Sequence, residues 1–447
     1  MNDNMDLTQG NIAGRLFAFF LPIAAGTIFQ QLYNAVDGIV VGRFVGTQAL
    51  AAVGGSPAVI VNLIVGFFTA LSAGFAVIVS QLFGAKEEKD MSKAVGTAIS
   101  FSLIIGLIVS VICIAFAPEF LKWMGTPEET IADATLYLRI YFIGTIFITV
   151  LNMESSILRA VGDSKHPFIY MIISCAMNII LDVTFVVYCG WGVAGVAIAT
   201  VIAQVLNMLL LSYQMTVKSS QCKFEFGDLK IDRGFLGKML RIGVPSGLQS
   251  SMYGISNLLL QVGVNSLGTV VVASWALSGK TDGLFWAITS AAGAAITTFT
   301  GQNYGAGRID RIKQSVKVSM ILFTIITVLT SVALLALGIP MLHILTPDQA
   351  VVKTTYQIMC YLVPMYFLWT GIEVFSGILK GIGDSVYPVI ITGIGICLFR
   401  IVWLVTVFRL FPTLPSLCIC YPASWLVTDI ALVWYYYKKS MISKEYR

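Results

Sequence analysis

The sequence LRAVGDSKHP at residues 158–167 returns 221 positions later as LKGIGDSVYP at residues 379–388. A second pair of segments keeps the same spacing, because QLFGA at residues 81–85 returns as QNYGA at residues 302–306. Two separate motifs that share one offset indicate an internal duplication. The sequence therefore predicts two diverged copies of one structural unit.

The solvent expected around most of this chain is lipid. Of its 447 residues, 57% are hydrophobic and 11% are charged, which is too apolar a composition for a soluble globule. Short polar segments separate apolar runs of about 20 or more residues, the length that crosses roughly 30 Å of hydrocarbon as a helix. The runs are continuously apolar, whereas a membrane β-barrel needs alternating strands. We expect an all-α integral membrane protein.

Twelve apolar runs are present, six in each copy. They lie roughly at residues 15–43, 52–83, 93–116, 131–160, 166–189, 192–215, 235–266, 270–303, 313–338, 349–380, 387–410 and 415–437. An even number of spans returns the chain to its starting side, so the two six-helix repeats should be parallel, with a central cleft between them. The predicted lobes are residues 1–215 and 235–447, and residues 216–234 form a cytoplasmic linker.

The basic residues indicate the orientation. With a cytoplasmic N-terminus, 21 of the 28 Lys and Arg residues lie on the inner side, so both termini are expected in the cytoplasm of a bacterial inner-membrane protein. The first span follows a start without a basic segment or cleavage site and should be retained. Topology explains the net charge of +5, and nucleic-acid binding is not expected.

Ionisable side chains inside spans are costly and therefore mark candidate sites. Asp37 lies six residues before Arg43, Asp182 eight before the turn at residues 190–192, and Thr200 eight after it. A rise of 1.5 Å per residue puts all three about 9 to 12 Å below the outer surface. Asn178 and Tyr33 lie one helical turn deeper than Asp182 and Asp37, respectively.

Two carboxylates, an amide oxygen and a hydroxyl form a set of hard oxygen donors. If they are close together, such a set suits Na⁺, and paired carboxylates also favour binding of a proton. Two structural alternatives stay open. Asn178 and Thr200 could make polar contacts between helices, and Asp37 and Asp182 could be a buried structural pair.

The second copy does not repeat this set of oxygen donors. Leu260, Phe399 and Trp403 stand at the positions equivalent to Asp37, Asn178 and Asp182. Its charged residues within spans form a possible second site and are Lys280, Asp282, Glu373 and Arg400. Asp282 could pair with Arg400 or Lys280, and a structural ion pair and a substrate-sensing site are both open.

The duplicated loops, with Leu21 and Pro22 in the first span, resemble those of the multidrug and toxic compound extrusion (MATE) family. The resemblance implies Na⁺- or H⁺-driven antiport that exports amphipathic organic cations by alternating access, without a cofactor. It also implies that Asp37, Asn178, Asp182 and Thr200 form the cation site of the N-terminal lobe found in one branch of that family. Pro22 matches the proline at which the first helix of that branch kinks, and Tyr33 would gate or support the site.

Four further points concern the type of protein and its assembly. No acid occurs in residues 235–266, so a version of the mechanism that uses an acid on the seventh span is not expected. Lys280 and Arg400 would suit the alternative of a lipid or lipid-linked glycan flippase. An enzyme is not expected, because no acid, base or nucleophile cluster appears at a membrane surface. We expect a monomer surrounded by membrane lipid.

Overall fold

A computed structural model describes residues 5–218, 227 and 229–438, without the side chains of residues 32–35 and 47. The helices of the first copy are α1 (Ile12–Val45), α2 (Gln48–Ala85), α3 (Glu88–Trp123), α4 (Glu128–Ile143 and Thr145–Ala160), α5 (Lys165–Tyr188) and α6 (Gly192–Lys218). Those of the second copy are α7 (Arg233–Asn265), α8 (Thr269–Gly305), α9 (Ile309–Leu345), α10 (Gln349–Met365 and Phe367–Gly381), α11 (Val386–Phe408) and α12 (Leu414–Lys438).

Twelve helices in two repeats confirm the predicted architecture. Among the described residues, nine helices are long and apolar enough to cross a membrane. Two more spans, α4 and α10, are each bent by 49°. The twelfth, α7, has 33 residues and is less apolar than the others. Several helices extend beyond the predicted runs, because helical hydrogen bonding continues into the polar ends, which can project from the bilayer.

The bends in α4 and α10 were not predicted. The α4 bend lies at Gly144, and the α10 bend follows Met365, which is 221 positions later. In α10 the bend comes directly after Pro364, whose ring removes a helical hydrogen bond. The duplication therefore preserved a bend as well as the loops.

The chain forms two compact units whose boundaries differ from the predicted lobes. Unit 1 contains residues up to Asp6 and Leu21–Gly247, and unit 2 contains Leu7–Phe20 and Leu248–Arg447. The chain thus passes from unit 2 to unit 1 beside Pro22, and from unit 1 to unit 2 shortly after Pro245. The beginning of each repeat belongs to the unit formed mainly by the other repeat.

Hydrogen bonds explain this exchange of leading segments. In unit 2, the Leu7 amide donates to Gln302 Oε1 at 3.1 Å, and Arg311 Nη1 donates to the Gly10 carbonyl at 3.0 Å. In unit 1, Thr97 Oγ1 accepts from the Asp232 amide at 3.0 Å. The described part of the predicted linker is therefore a packed element of unit 1, while residues 219–226 and 228 lie outside the described residues.

Small residues allow two helices of unit 1 to cross closely. A methyl group added to Gly74 of α2 would lie 2.5 Å from the Gly243 Cα of α7, which is far below a van der Waals contact. Membrane helices gain stability from such close packing, because the hydrophobic effect does not drive their association in lipid. Glycine is therefore required at this crossing for packing.

Candidate cation-coupling site

Asp37 of α1 and Asp182 of α5 lie next to each other in unit 1, within range of a direct interaction between their carboxyl groups. Asp182 and Asn178 are both 0% exposed, and Thr200 of the neighbouring helix α6 is buried. The side chain of Tyr33 lies outside the described residues. Two residues predicted from depth alone are therefore adjacent, and two more are buried on α5 and α6.

Several polar atoms at the centre of this site have no hydrogen-bond partner in the part of the chain that the structure describes. Within the described chain, neither carboxyl oxygen of Asp182 and neither amide atom of Asn178 has a hydrogen-bond partner of normal geometry. An ionised carboxylate only accepts hydrogen bonds, so two of them cannot satisfy each other. Buried polar groups without partners are costly in lipid-embedded protein. The site is thus chemically suited to receive a proton or a cation.

The donor set fits a hard monovalent cation. Asp182, Asp37 and the Asn178 carbonyl provide oxygen atoms, and Thr200 Oγ1, which donates to the Val196 carbonyl at 3.0 Å, keeps lone pairs that can coordinate. Na⁺ would be a transported ion here. A proton shared between the two carboxyl groups would satisfy the same oxygens.

Sequence reasoning missed one tyrosine and one thiol beside the aspartates. Tyr137 of α4 is close enough to Asp37 and Asp182 to interact electrostatically with both, and Cys175 lies near Asp37. Tyr141 stacks on Tyr137 with ring centroids 6.0 Å apart. The spacing of four residues between the tyrosines was the available signal, but it is also typical of ordinary helix packing.

The backbone beside the site departs from a regular α-helix. Asp182 is the last α-helical residue of its segment, and Val183–Tyr188 continue as a π-helix. Helix α1 likewise ends in a π-helical turn at Val41–Val45. Such insertions often occur at functional sites, since they redirect side chains and loosen the hydrogen-bond ladder. Pro22 lies inside α1, where its missing amide hydrogen permits bending.

The charged residues of unit 2 do not form the ion pairs considered above. Within the described residues, Asp282 has no ion pair with Arg400 or Lys280. Asp282 is buried and contacts Tyr366 and Ser278, with Oδ2 3.5 Å from Ser278 Oγ. Lys280 is exposed. Asp282 therefore contacts two neutral hydroxyl groups and not the positively charged side chain that the sequence suggested.

Arg400 has its own partners in unit 2. It donates from Nε to Ser424 Oγ and from Nη1 to Asn257 Oδ1, both at 3.2 Å. Its guanidinium also lies 4.1 Å from the ring centroid of Tyr421. The group is 4% exposed and engaged by these partners within the unit.

Glu373 belongs to a different set of contacts in unit 2. It accepts a hydrogen bond from Trp369 Nε1 at 3.0 Å and interacts electrostatically with Lys380. Lys380 Nζ donates to Gln249 Oε1 at 2.7 Å, which ties α10 to α7. This arrangement was not visible in the sequence, where Lys380 is part of the repeated loop motif at residues 379–388.

Comparison with known proteins assigns the chain to a family. The profile of the MatE family matches residues 22–184 and, a second time, residues 245–406. The chain belongs to the MatE family. Each match corresponds to one repeat and together they cover most of the chain, so the family assignment and the duplication rest on the same residues.

Several named MatE relatives are similar over most of their length. The "Probable multidrug resistance protein YoeA" of Bacillus subtilis is 26% identical over 443 residues, which are 95% of this chain and 94% of that protein. The "Multidrug export protein MepA" of Staphylococcus aureus is 24% identical over 368 residues, 82% of this chain and 81% of that protein.

Solved structures of MATE proteins share the fold. A "MATE in the straight conformation" superposes with a TM-score of 0.91 at 23% identity and covers 99% of this chain and 100% of that one. An outward-facing multidrug resistance MATE family transporter gives 0.89 at 23% identity, covering 99% of both chains. The protein is therefore a multi-pass membrane protein of a multidrug-efflux transporter family.

Proposed function

We propose that this protein is an antiporter that exports amphipathic organic cations in exchange for Na⁺ or H⁺. The observation that carries the proposal is the adjacent Asp37 and Asp182 pair, in which neither oxygen of the buried Asp182 carboxyl group has a hydrogen-bond partner of normal geometry among the described residues. The similarity to proteins named for multidrug resistance and multidrug export supports the class of substrate.

The proposed mechanism couples the charge state of the site to the conformation of α1. When the carboxylates are free, their repulsion separates α1 from α5. When a proton or Na⁺ binds, the repulsion ends and the two helices approach each other. Pro22 lies fifteen residues before Asp37 and provides a point at which α1 can bend. This movement alters unit 1 and drives release of the drug outward.

We also propose a membrane location and an oligomeric state for this protein. The excess of basic residues on the inner loops supports a bacterial inner-membrane location with both termini in the cytoplasm. The protein acts as a monomer and needs no cofactor besides the transported ion. Asn178 and Thr200 act as ligands of that ion rather than as structural contacts between helices.

Ethidium efflux from vesicles under separately imposed Na⁺ and H⁺ gradients tests the proposal. The wild-type protein should export with at least one gradient, whereas Asp37→Asn and Asp182→Asn should each reduce driven efflux at least tenfold. The matched control is Glu119→Gln, which removes an exposed acid of the same unit and should have no effect. Full gradient-driven export by either aspartate variant would overturn the proposal.

A further inference from the structure

A second buried acid in unit 1 is not used by the proposed mechanism. Glu154 of α4 is 3% exposed and its Oε1 accepts a hydrogen bond from Ser212 Oγ of α6. Its Oε2 is buried and has no hydrogen-bond partner among the described residues. A buried carboxyl oxygen without a partner marks a position where a proton or water would be bound.

The position of Glu154 separates it from the coupling site. It lies six residues before Ala160, the end of α4, which corresponds to a depth of about 9 Å. Tyr170 lies at a similar depth on α5 and donates to Gln214 Oε1 of α6 at 2.9 Å. Asp182 is twelve residues further along α5, or about 18 Å away along the helix axis. Unit 1 thus contains two levels of buried polar groups.

Polar side chains connect these two levels along one face of α5. Tyr170, Ser174, Asn178 and Asp182 follow one another at intervals of four residues, so each lies about one turn, or 6 Å, beyond the previous one along a face that winds slowly around the helix. A step of that length is bridged by one water molecule that makes two hydrogen bonds. Ser174, Asn178 and Asp182 are buried. On α6, Asn207 Oδ1 is also buried and without a partner in the described structure.

Charged residues lie on the helices around Glu154, but none of them is its counterion in the described structure. The charged and titratable groups at the inner ends of these helices are Arg159 on α4, Glu88, Lys89, Asp90 and Lys93 on α3, Lys165, His166 and Tyr170 on α5, Tyr213 and Lys218 on α6, and Arg233, Lys238 and Arg241 on α7. Arg159 donates to the Ser155 carbonyl and to Ser156 Oγ. None of these cations forms an ion pair with Glu154 in the described structure.

We propose that the Glu154 carboxyl group is a second proton-binding site, and that the α5 face guides protons to it from the Asp37 and Asp182 pair. The inference rests on the proposed function and makes H⁺ the coupling ion. A proton leaves the Asp182 carboxyl group, passes through water held by Asn178 and Ser174, and binds the Glu154 carboxylate. Glu154 then releases it to water at the inner end of unit 1, and both carboxylates are regenerated.

The test uses the purified full-length protein in liposomes and compares two kinds of ethidium transport. Efflux driven by a H⁺ gradient needs proton release, whereas exchange of ethidium for ethidium without a gradient does not. Glu154→Gln keeps an oxygen that accepts from Ser212 but cannot carry a proton. It is expected to reduce driven efflux at least tenfold and exchange less than threefold. Driven efflux within twofold of wild type, or an equal loss of both activities, would overturn the proposal.

Further variants separate a proton-carrying role from a structural one. Glu154→Asp and Ser212→Ala both retain an acid and should keep driven efflux within about threefold of wild type, even if Glu154→Gln is not recovered folded. A tenfold loss in Ser212→Ala would show that the contact itself matters and would overturn the proposal. Glu119→Gln again serves as the control that removes an exposed acid.

The aspartate variant distinguishes this inference from the proposed function. If Asp182→Asn keeps full driven efflux, the coupling site itself is wrong and the second site fails with it. If Asp182→Asn loses driven efflux while Glu154→Gln keeps it, the coupling site stands and only the second site is wrong.

Discussion

Replacing Asn178 by leucine is expected to make the folded protein more stable while it abolishes coupling. Asn178 is 0% exposed, and neither its amide nitrogen nor its amide oxygen has a partner in the described structure. Leaving a buried amide unpaired costs about 1 to 3 kcal/mol, and an apolar side chain of similar shape avoids that cost. In buffer without Na⁺ and at alkaline pH, Asn178→Leu should therefore gain about 1 to 2 kcal/mol of unfolding free energy.

The same variant should lose stabilisation by the transported ion. A ligand at one hundred times its dissociation constant stabilises the folded state by about 2.7 kcal/mol. Unfolding of the purified protein in detergent, measured with and without Na⁺ and across pH, should show ion-dependent stabilisation in wild type. In Asn178→Leu this dependence should be much smaller.

Asn152→Leu is the matched control for this measurement. Asn152 is an asparagine of the same unit whose Nδ2 donates to the Ile148 carbonyl at 2.8 Å and whose Oδ1 accepts from Thr69 at 3.2 Å. Its replacement should lose about 1 kcal/mol, the usual net value of such contacts in membrane proteins. If Asn178→Leu also destabilised the protein by 1 kcal/mol or more, Asn178 would be a structural contact and the ion-ligand argument would be refuted.

Two packing predictions complete the set. Gly74→Ala must push α2 and α7 apart by about 1 Å and should cost about 1 to 3 kcal/mol of stability. The control is Gly237→Ala, because Gly237 has open space around it, and this variant should be neutral or slightly stabilising. Thermal unfolding measures both effects. Arg400→Lys keeps the charge but loses the planar contact with Tyr421, and should cost about 1 to 2 kcal/mol of stability. Tyr421→Phe keeps the aromatic ring and should cost less. Equal losses of stability in the two variants would contradict the cation–π argument.

The spans and the repeat could be predicted because lipid imposes strong constraints. Each helix must satisfy its own backbone hydrogen bonds and be apolar over the bilayer thickness, so the pattern is visible without tertiary contacts. The exchange of leading segments was not visible. It depends on hydrogen bonds such as that from Leu7 to Gln302, between residues 295 positions apart, and nothing in the local sequence encodes them.

The candidate site was predictable only where charge and depth identify a residue. Asp37 and Asp182 stood out because acids are rare inside spans, and helix rise alone placed them at one level. Tyr137 did not stand out, because a tyrosine in a helix of this composition is usual. In unit 2 the sequence suggested that Asp282 could pair with Arg400, two charged residues of different spans. That pair does not form, since depth says nothing about which face of each helix a side chain occupies.

The most direct test of the central claim is to run the exchange in reverse and follow the ion. An ethidium gradient, directed outward or inward, is imposed across liposomes that contain the purified protein, and it is the sole driving force. The movement of H⁺ and the movement of Na⁺ are recorded separately. Wild type should move one of these ions against the ethidium flux, and Asp37→Asn and Asp182→Asn should move neither. Ethidium-driven ion movement of wild-type size in the Asp182→Asn protein would contradict the assignment of coupling to this pair.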